Sequence, residues 1–278
     1  MLKKLFLHEW KDSWKIMTLL SAAVLVLSLI GAFLFQVDDV LDSGGDVGGP
    51  IIALMYTSYF MVYFLSILAL SVMVTLLFYI RFYKNLYTDQ GYLMHTLPVT
   101  PKQLIWSKAF VAIIWRVISG VVVVSGISIL LSAGVDISFF DIVEDLIDGF
   151  LKVYEEDPML MVVYLILALF AAVGSMLFSV FKGYTAISLG QMSSKNKALA
   201  SVGIYFGIHI TINICTNVCM QTSMLILAGA RVDLFEMLED PGLMMVVFLA
   251  ILNVGIYALT IAGYAITHHI MKNRLNLE

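Results

Sequence analysis

Polar side chains recur at every fourth residue through one apolar stretch of this chain. They are Tyr205, His209, Asn213, Asn217 and Gln221, named here the polar stripe. Because residues four apart are neighbours on a helix surface, the spacing predicts one winding line of hydrogen-bonding groups. Inside a membrane such a line follows a substrate path, joins neighbouring helices or subunits, or consists of residues that pack individually. An interhelical hydrogen bond of this type contributes only about 0.6 kcal/mol. The sequence leaves these interpretations open.

One arginine, Arg116, interrupts another apolar stretch that ends near Ala133. A membrane-crossing helix needs about twenty residues, which puts Arg116 near one edge of the bilayer. We expect its side chain to reach the aqueous edge by snorkelling, and the alternative is a buried pair or a substrate contact.

The sequence lacks the patterns of common catalytic sites. No glycine is followed by lysine, so the chain has no phosphate-binding P-loop. His8-Glu9 lacks the second histidine of a zinc-protease helix, and Gly126-Ile127-Ser128 lacks the second glycine of a serine-hydrolase turn. His268-His269 has no further ligand nearby in the sequence. We therefore expect no enzyme activity, no metal and no cofactor in this chain.

The hydrophobic content of the chain indicates which helices carry these residues. Hydrophobic residues make up 61% of the 278, charged residues 13%, and the mean hydropathy is +0.95. Such a chain is too apolar for a soluble protein. We predict an all-α membrane protein with a single transmembrane domain over residues 1–278. Six segments are long enough to cross about 30 Å of hydrocarbon, and we place them at 16–36, 52–80, 108–133, 159–181, 199–229 and 243–267.

Charge separates the connecting segments into two sides. One side, called the basic side, holds thirteen Lys and Arg residues, whereas the other holds only Lys152 and Arg231. Sixteen of the twenty acidic residues fall in the three connections on the other side. Because Lys and Arg are retained in the cytoplasm, both termini are predicted to be cytoplasmic. The acidic outer side argues against a nucleic-acid partner.

Three further segments have a predicted role. Residues 1–15 alternate apolar and basic residues at helical spacing, which favours an interfacial helix over a signal peptide. The pattern of residues 136–157 predicts an acidic amphipathic helix. The pattern of residues 182–197 predicts a mobile loop on the basic side. Gly203 and Gly207 form a small-residue pair that favours close helix contact.

The longest polar interruption on the basic side is residues 83–108. Thr100 is a good N-cap, Pro101 suits the first helical position, and Gln103 completes a capping box. A long helix is therefore predicted to begin here. The residues before Pro98 mix aromatic, aliphatic and polar types, which is typical of a short helix or turn that docks a partner.

This interruption also resembles a known family. Asp89-Gln90-Gly91-Tyr92-Leu93, Thr96-Leu97-Pro98-Val99-Thr100, Gln103-Leu104 and Ser107-Lys108 are similar to the cytoplasmic signature of the type-2 ABC exporter permeases. In that family a coupling helix between the second and third membrane helices touches the ATPase subunit. The resemblance implies ATPase contacts at Tyr87, Asp89, Gln90, Gly91, Tyr92, Leu93, His95, Leu97 and Pro98.

The same resemblance implies a working complex in a bacterial plasma membrane. Two copies of this chain would pair as a homodimer with two separate ATP-binding subunits, which hold the ATP and Mg. The cargo would be an amphipathic peptide or drug, exported by alternating access. The alternatives are an ABC-linked immunity module that clears toxic peptides from the membrane, and an unrelated membrane enzyme or channel.

Overall fold

A computed structural model describes residues 2–41, 49–88, 91, 99–134, 139–193, 196–229 and 241–273. Within these residues the fold is all-helical and contains no strand. The helices are α1 (Leu2–Leu41), α2 (Gly49–Tyr87), α3 (Pro101–Gly134), α4 (Phe139–Glu156), α5 (Pro158–Gly190), α6 (Lys197–Gly229) and α7 (Pro241–Asn273).

All of these helices except α4 are long and apolar enough to cross a membrane. A helix satisfies its own backbone hydrogen bonds, which is what the anhydrous interior of a bilayer requires. The chain is therefore a multi-pass membrane protein. Many of the large apolar side chains in the middle of these helices are exposed, as expected where lipid replaces water as the surrounding medium.

Several helices run further than the predicted spans, and α1 and α5 change the prediction most. The predicted interfacial helix of residues 1–15 and the first span form one unbroken helix, α1. The predicted loop at 182–197 is shorter than expected because α5 continues to Gly190. In both places charged residues mark where the apolar run ends, but a helix can continue into water beyond that point.

The predicted helix start before α3 is confirmed in atomic detail. The Gln103 backbone N–H donates to Thr100 Oγ1 at 3.4 Å, and the Thr100 N–H donates to Gln103 Oε1 at 3.2 Å. This reciprocal pair is a capping box, which satisfies two donors that a helix start would otherwise leave free.

The acidic amphipathic helix is confirmed as α4. Its apolar side chains remain exposed, with Phe140 at 76% and Leu146 at 56%. Asp157 then caps the next helix, because its Oδ1 accepts hydrogen bonds from the N–H groups of Met159 at 3.2 Å and Leu160 at 3.1 Å. A helix with an exposed apolar face of this kind suits a membrane surface.

The chain divides into two compact units. The first unit comprises Met1–Phe78 and Phe110–Lys152, and the second comprises Tyr79–Ala109 and Val153–Glu278. In the first unit tyrosines of α2 bond to α1: Tyr59 Oη donates to Leu27 O at 2.8 Å, and Ser28 Oγ lies 3.1 Å from Tyr63 Oη. These bonds satisfy hydroxyls inside an apolar helix pair.

In the second unit α5 packs against both α6 and α7. Side chains of α7 donate to carbonyls of α5, from Asn253 Nδ2 to Leu167 O at 3.1 Å and from Tyr257 Oη to Phe170 O at 3.0 Å. Many of the most buried side chains of this unit lie near helix ends on the basic side: Phe82, Leu86, Ile105, Ala109, Phe181, Tyr184, Ser188 and Thr267.

Gly190 allows the end of α5 to touch the start of α6. A Cβ at Gly190 would lie 2.6 Å from the backbone Cα of Ser201, which a side-chain rotation cannot relieve. By contrast, a Cβ at Gly203 would meet nothing within 4 Å.

We predict opposite effects for alanine at these two glycines. Gly190→Ala forces backbones apart and should lower the free energy of unfolding by about 1–3 kcal/mol. Gly203→Ala improves helix propensity at an open position and should be neutral or stabilising by up to about 1 kcal/mol. Thermal unfolding of each purified variant in detergent measures both, and equal effects would contradict the close contact at Gly190.

Candidate functional site

Two aromatic rings join the end of α2 to α5 in the second unit. Phe82 stacks on Tyr184 with ring centres 3.7 Å apart and planes 7° from parallel. Both side chains are fully buried. Aromatic pairs contribute about 0.5–1.5 kcal/mol beyond the burial of their area. This stack therefore resists sliding between the two helices.

Two tyrosine hydroxyls extend the same contact along α2. Tyr79 Oη donates to Ser179 O at 2.5 Å, and Tyr87 Oη lies 2.7 Å from Ser188 Oγ. Phe82 and Leu86 lie between them along the helix, and Leu86 is fully buried. We name Tyr79, Phe82 and Tyr87 with their partners Ser179, Tyr184 and Ser188 the aromatic anchor. It joins the last two and a half turns of α2 to α5.

The start of α3 is held in the same unit. Leu104 and Ile105 are buried, and the ring of Trp106 lies 5.5 Å from Phe181 and 5.9 Å from Tyr264. Residues on both sides of the segment 88–100 are therefore packed against α5 or α7. The segment begins and ends on fixed helices.

Part of the predicted ATPase-contact set falls on described residues. Tyr87 belongs to the aromatic anchor, and Gly91 is buried with its N–H donating to Thr88 O at 2.6 Å. The other members lie outside the described residues, namely Asp89, Gln90, Tyr92, Leu93, His95, Leu97 and Pro98.

The polar stripe forms one face of α6. Asn213 Nδ2 donates to His209 O at 2.7 Å and Asn217 Nδ2 to Asn213 O at 2.8 Å, so these amides bond to their own helix. His209, Asn213, Asn217 and Gln221 are exposed, whereas Tyr205 is half-buried and stacks on His209 with ring centres 6.3 Å apart. The face is therefore exposed at its last four members, from His209 to Gln221.

The small-residue pair on α6 is open as well. A Cβ at Gly203 or Gly207 would meet no described atom within 4 Å. Neither glycine therefore makes the predicted close helix contact within the described part of the chain. Contact with another chain at this pair stays a prediction.

Arg116 lies in the first unit and is half-buried. Its Nη2 donates to Thr75 Oγ1 at 3.0 Å, while Nη1 is buried without an acceptor among the described residues. The guanidinium thus pairs with a neutral hydroxyl of α2. The described residues contain no group of three His, Cys, Asp or Glu side chains that could hold a metal ion.

The aromatic anchor is only partly visible in the sequence. Tyr79, Phe82 and Leu86 lie at helical spacing across Arg81, and this apolar periodicity signals a buried helix face beyond the span. Their partners on α5 are about a hundred residues away in the chain, so no local pattern identifies them.

We predict that Tyr87 and Ser188 are energetically coupled. Tyr87→Phe leaves the fully buried Ser188 hydroxyl without its partner and should cost about 1 kcal/mol of unfolding free energy, as should Ser188→Ala. The double variant should lose less than the sum by about 1 kcal/mol. Unfolding midpoints in detergent measure the cycle.

Tyr83→Phe is the matched control for that cycle. The Tyr83 hydroxyl makes no hydrogen bond to a described residue, so the change should leave stability unaltered. Strictly additive effects of Tyr87→Phe and Ser188→Ala would contradict the coupling.

No protein-family model, no curated protein and no solved structure matches this chain. The resemblance to permeases therefore stands on residues 89–108 themselves. The fold shows a multi-pass helical membrane protein in which residues 88–100 lie between the packed ends of α2 and α3.

Proposed function

We propose that this chain is the transmembrane subunit of an ATP-driven exporter. Its basic side faces the cytoplasm, and a separate ATP-binding subunit docks through Asp89 to Pro98, within the segment 88–100. Two copies of the chain pair with two ATP-binding subunits, which bind ATP and Mg and carry out hydrolysis. The observation that supports this proposal most directly is the aromatic anchor on the flank of the docking segment.

Helix length supports a docking segment that projects from the bilayer. At 1.5 Å per residue, the 39 residues of α2 span about 58 Å and the 34 residues of α3 about 51 Å. The hydrocarbon core is only about 30 Å thick. Both helices therefore exceed the bilayer, and their charged ends on the basic side carry the segment that joins them.

The aromatic anchor gives a mechanical route from that segment to the membrane helices. A force on residues 88–100 acts first on Tyr87, which is bonded to α5 through Ser188. The Phe82–Tyr184 stack and the Tyr79–Ser179 bond then resist independent movement of α2 and α5. Closure of two ATP-binding subunits would thus move these helices together rather than bend a loop.

The proposed class of cargo follows from the resemblance to exporter permeases and from the lipid that surrounds the helices. Small six-helix exporters of this kind move amphipathic or hydrophobic molecules, and we propose peptides as the substrate class. ATP-dependent closure shifts the population from inward-facing to outward-facing states. Each state then exposes the cargo path to one side of the membrane.

We predict that the docking segment controls an associated ATPase. The chain is purified from its native membrane in mild detergent, and ATP hydrolysis is measured in the eluate. The double variant Gly91→Pro, Leu97→Asp removes the N–H bonded to Thr88 O and adds a charge to the docking surface. It should lower the co-purified activity by about tenfold or more, the loss typical of a disrupted hot spot.

Phe140→Asp provides the control. It also changes an exposed apolar residue to an acid, but on α4, in a connection that the charge pattern assigns to the opposite side. The control should retain wild-type activity, and both variants should elute as folded, monodisperse protein. An eluate without ATPase activity from the wild type, or equal activity in both variants, would refute the proposal.

A further inference from the structure

Lys182 of α5 lies beside aromatic and polar side chains of α5 and α6. Its Nζ lies 4.9 Å from the ring centre of Tyr205 and 5.8 Å from that of Phe178, distances at which a cation is attracted to a ring face. His209 Nδ1 is 3.4 Å from the same Nζ, and Asn213 Nδ2 is 3.2 Å from that ring nitrogen. The ammonium group therefore lies beside Tyr205 and His209, the first two residues of the polar stripe.

No carboxylate of the neighbouring helices neutralises this cation. Residues 158–232 contain no Asp or Glu, and α7 contains none either. No salt bridge to Lys182 occurs among the described residues. A positive charge at the edge of an apolar region favours an anionic partner.

Lys182 lies at the depth of lipid headgroups. Residues 158–181 are free of charge, and these 24 residues of α5 span about 36 Å, slightly more than the hydrocarbon core. Lys182 is thus the first charged side chain to emerge on the basic side. His209 lies at the same depth because it touches Lys182.

An open groove continues from this cation along α6. It is lined by His209, Ile210, Asn213, Ile214, Asn217, Val218 and Gln221. From residue 209 to residue 221 the groove is about 18 Å long, close to the roughly 15 Å of one leaflet. Ile210, Ile214 and Val218 are each more than half exposed along it.

Two amide NH2 groups of the groove already have hydrogen-bond acceptors. The Nδ2 groups of Asn213 and Asn217 donate to carbonyls of α6 itself. The groove is open to the bilayer along one helix face, so it lacks the walls that would enclose a peptide. An acyl chain fits its length and its apolar row.

We infer that Lys182 and the groove of α6 bind an anionic phospholipid of the leaflet on the basic side. The phosphate is held by Lys182, with His209 and Asn213 beside it, and one acyl chain follows Ile210, Ile214 and Val218. This site is independent of the proposed exporter function, because it requires neither ATP nor the docking segment.

Native mass spectrometry of the full chain tests the site. Dioleoyl phosphatidylglycerol or dioleoyl phosphatidylcholine is added to protein in detergent, and the bound fraction gives an apparent Kd. The wild type should prefer phosphatidylglycerol. Lys182→Gln should weaken that lipid about fivefold, the effect of one basic residue at a membrane surface, and leave phosphatidylcholine unchanged.

Two control variants and one competitor show whether Lys182 and the acyl chain both contribute to lipid binding. Lys272→Gln, an exposed lysine at the basic end of α7, should not change the preference, and Lys182→Arg should keep it. Glycerol phosphate, which has no acyl chains, should compete poorly. Equal losses from Lys182→Gln and Lys272→Gln, or strong competition by glycerol phosphate, would overturn the proposal.

A disulfide experiment tests whether a second copy covers the groove instead. Ile214→Cys is introduced into a Cys215→Ser, Cys219→Ser background, and the membranes are oxidised. We expect the chain to remain uncross-linked. High-yield dimers joined through position 214 would assign the groove to a second copy and would overturn the lipid proposal.

Discussion

The stack of Phe82 on Tyr184 is the contact on which the second unit depends. Its rings lie 3.7 Å apart and are excluded from solvent. In the middle of the described membrane-crossing helices most of the surface is exposed and apolar. Lipid can cover that surface, but it does not determine how the helices pack. The buried aromatic contacts near the basic ends supply the specific packing, and they lie beside the segment proposed to meet an ATPase.

Sequence patterns predict the elements of this fold better than its contacts. Hydropathy identifies six spans because a bilayer demands long apolar helices, and the Thr100–Gln103 capping box is a local interaction. The amphipathic periodicity of α4 is also local. The continuation of α1 and α5 past their charged residues is not encoded in hydropathy, because a helix in water is constrained by its tertiary partners instead.

At the candidate sites, too, local spacing predicts which residues share a helix face but not which residues of other helices contact them. The spacing of the polar stripe correctly predicts one face of α6, since helical periodicity alone determines it. The neighbours of that face do not follow from spacing. Lys182 is 27 residues from His209 in the chain, and only helix packing brings the two side chains to 3.4 Å. Likewise, Arg116 donates a hydrogen bond to Thr75 on another helix, 41 residues away in the chain.

Site-specific photo-cross-linking can show whether an ATP-binding subunit contacts residues 88–100. Benzoylphenylalanine is placed at Leu93 in the docking segment and, as a comparison, at Leu146 on α4, and irradiated cells are analysed for cross-linked partners. We expect position 93, but not position 146, to capture a protein whose sequence contains a nucleotide-binding P-loop. Capture of no such protein at position 93, or of the same partner at both positions, would mean that residues 88–100 do not dock an ATP-binding subunit.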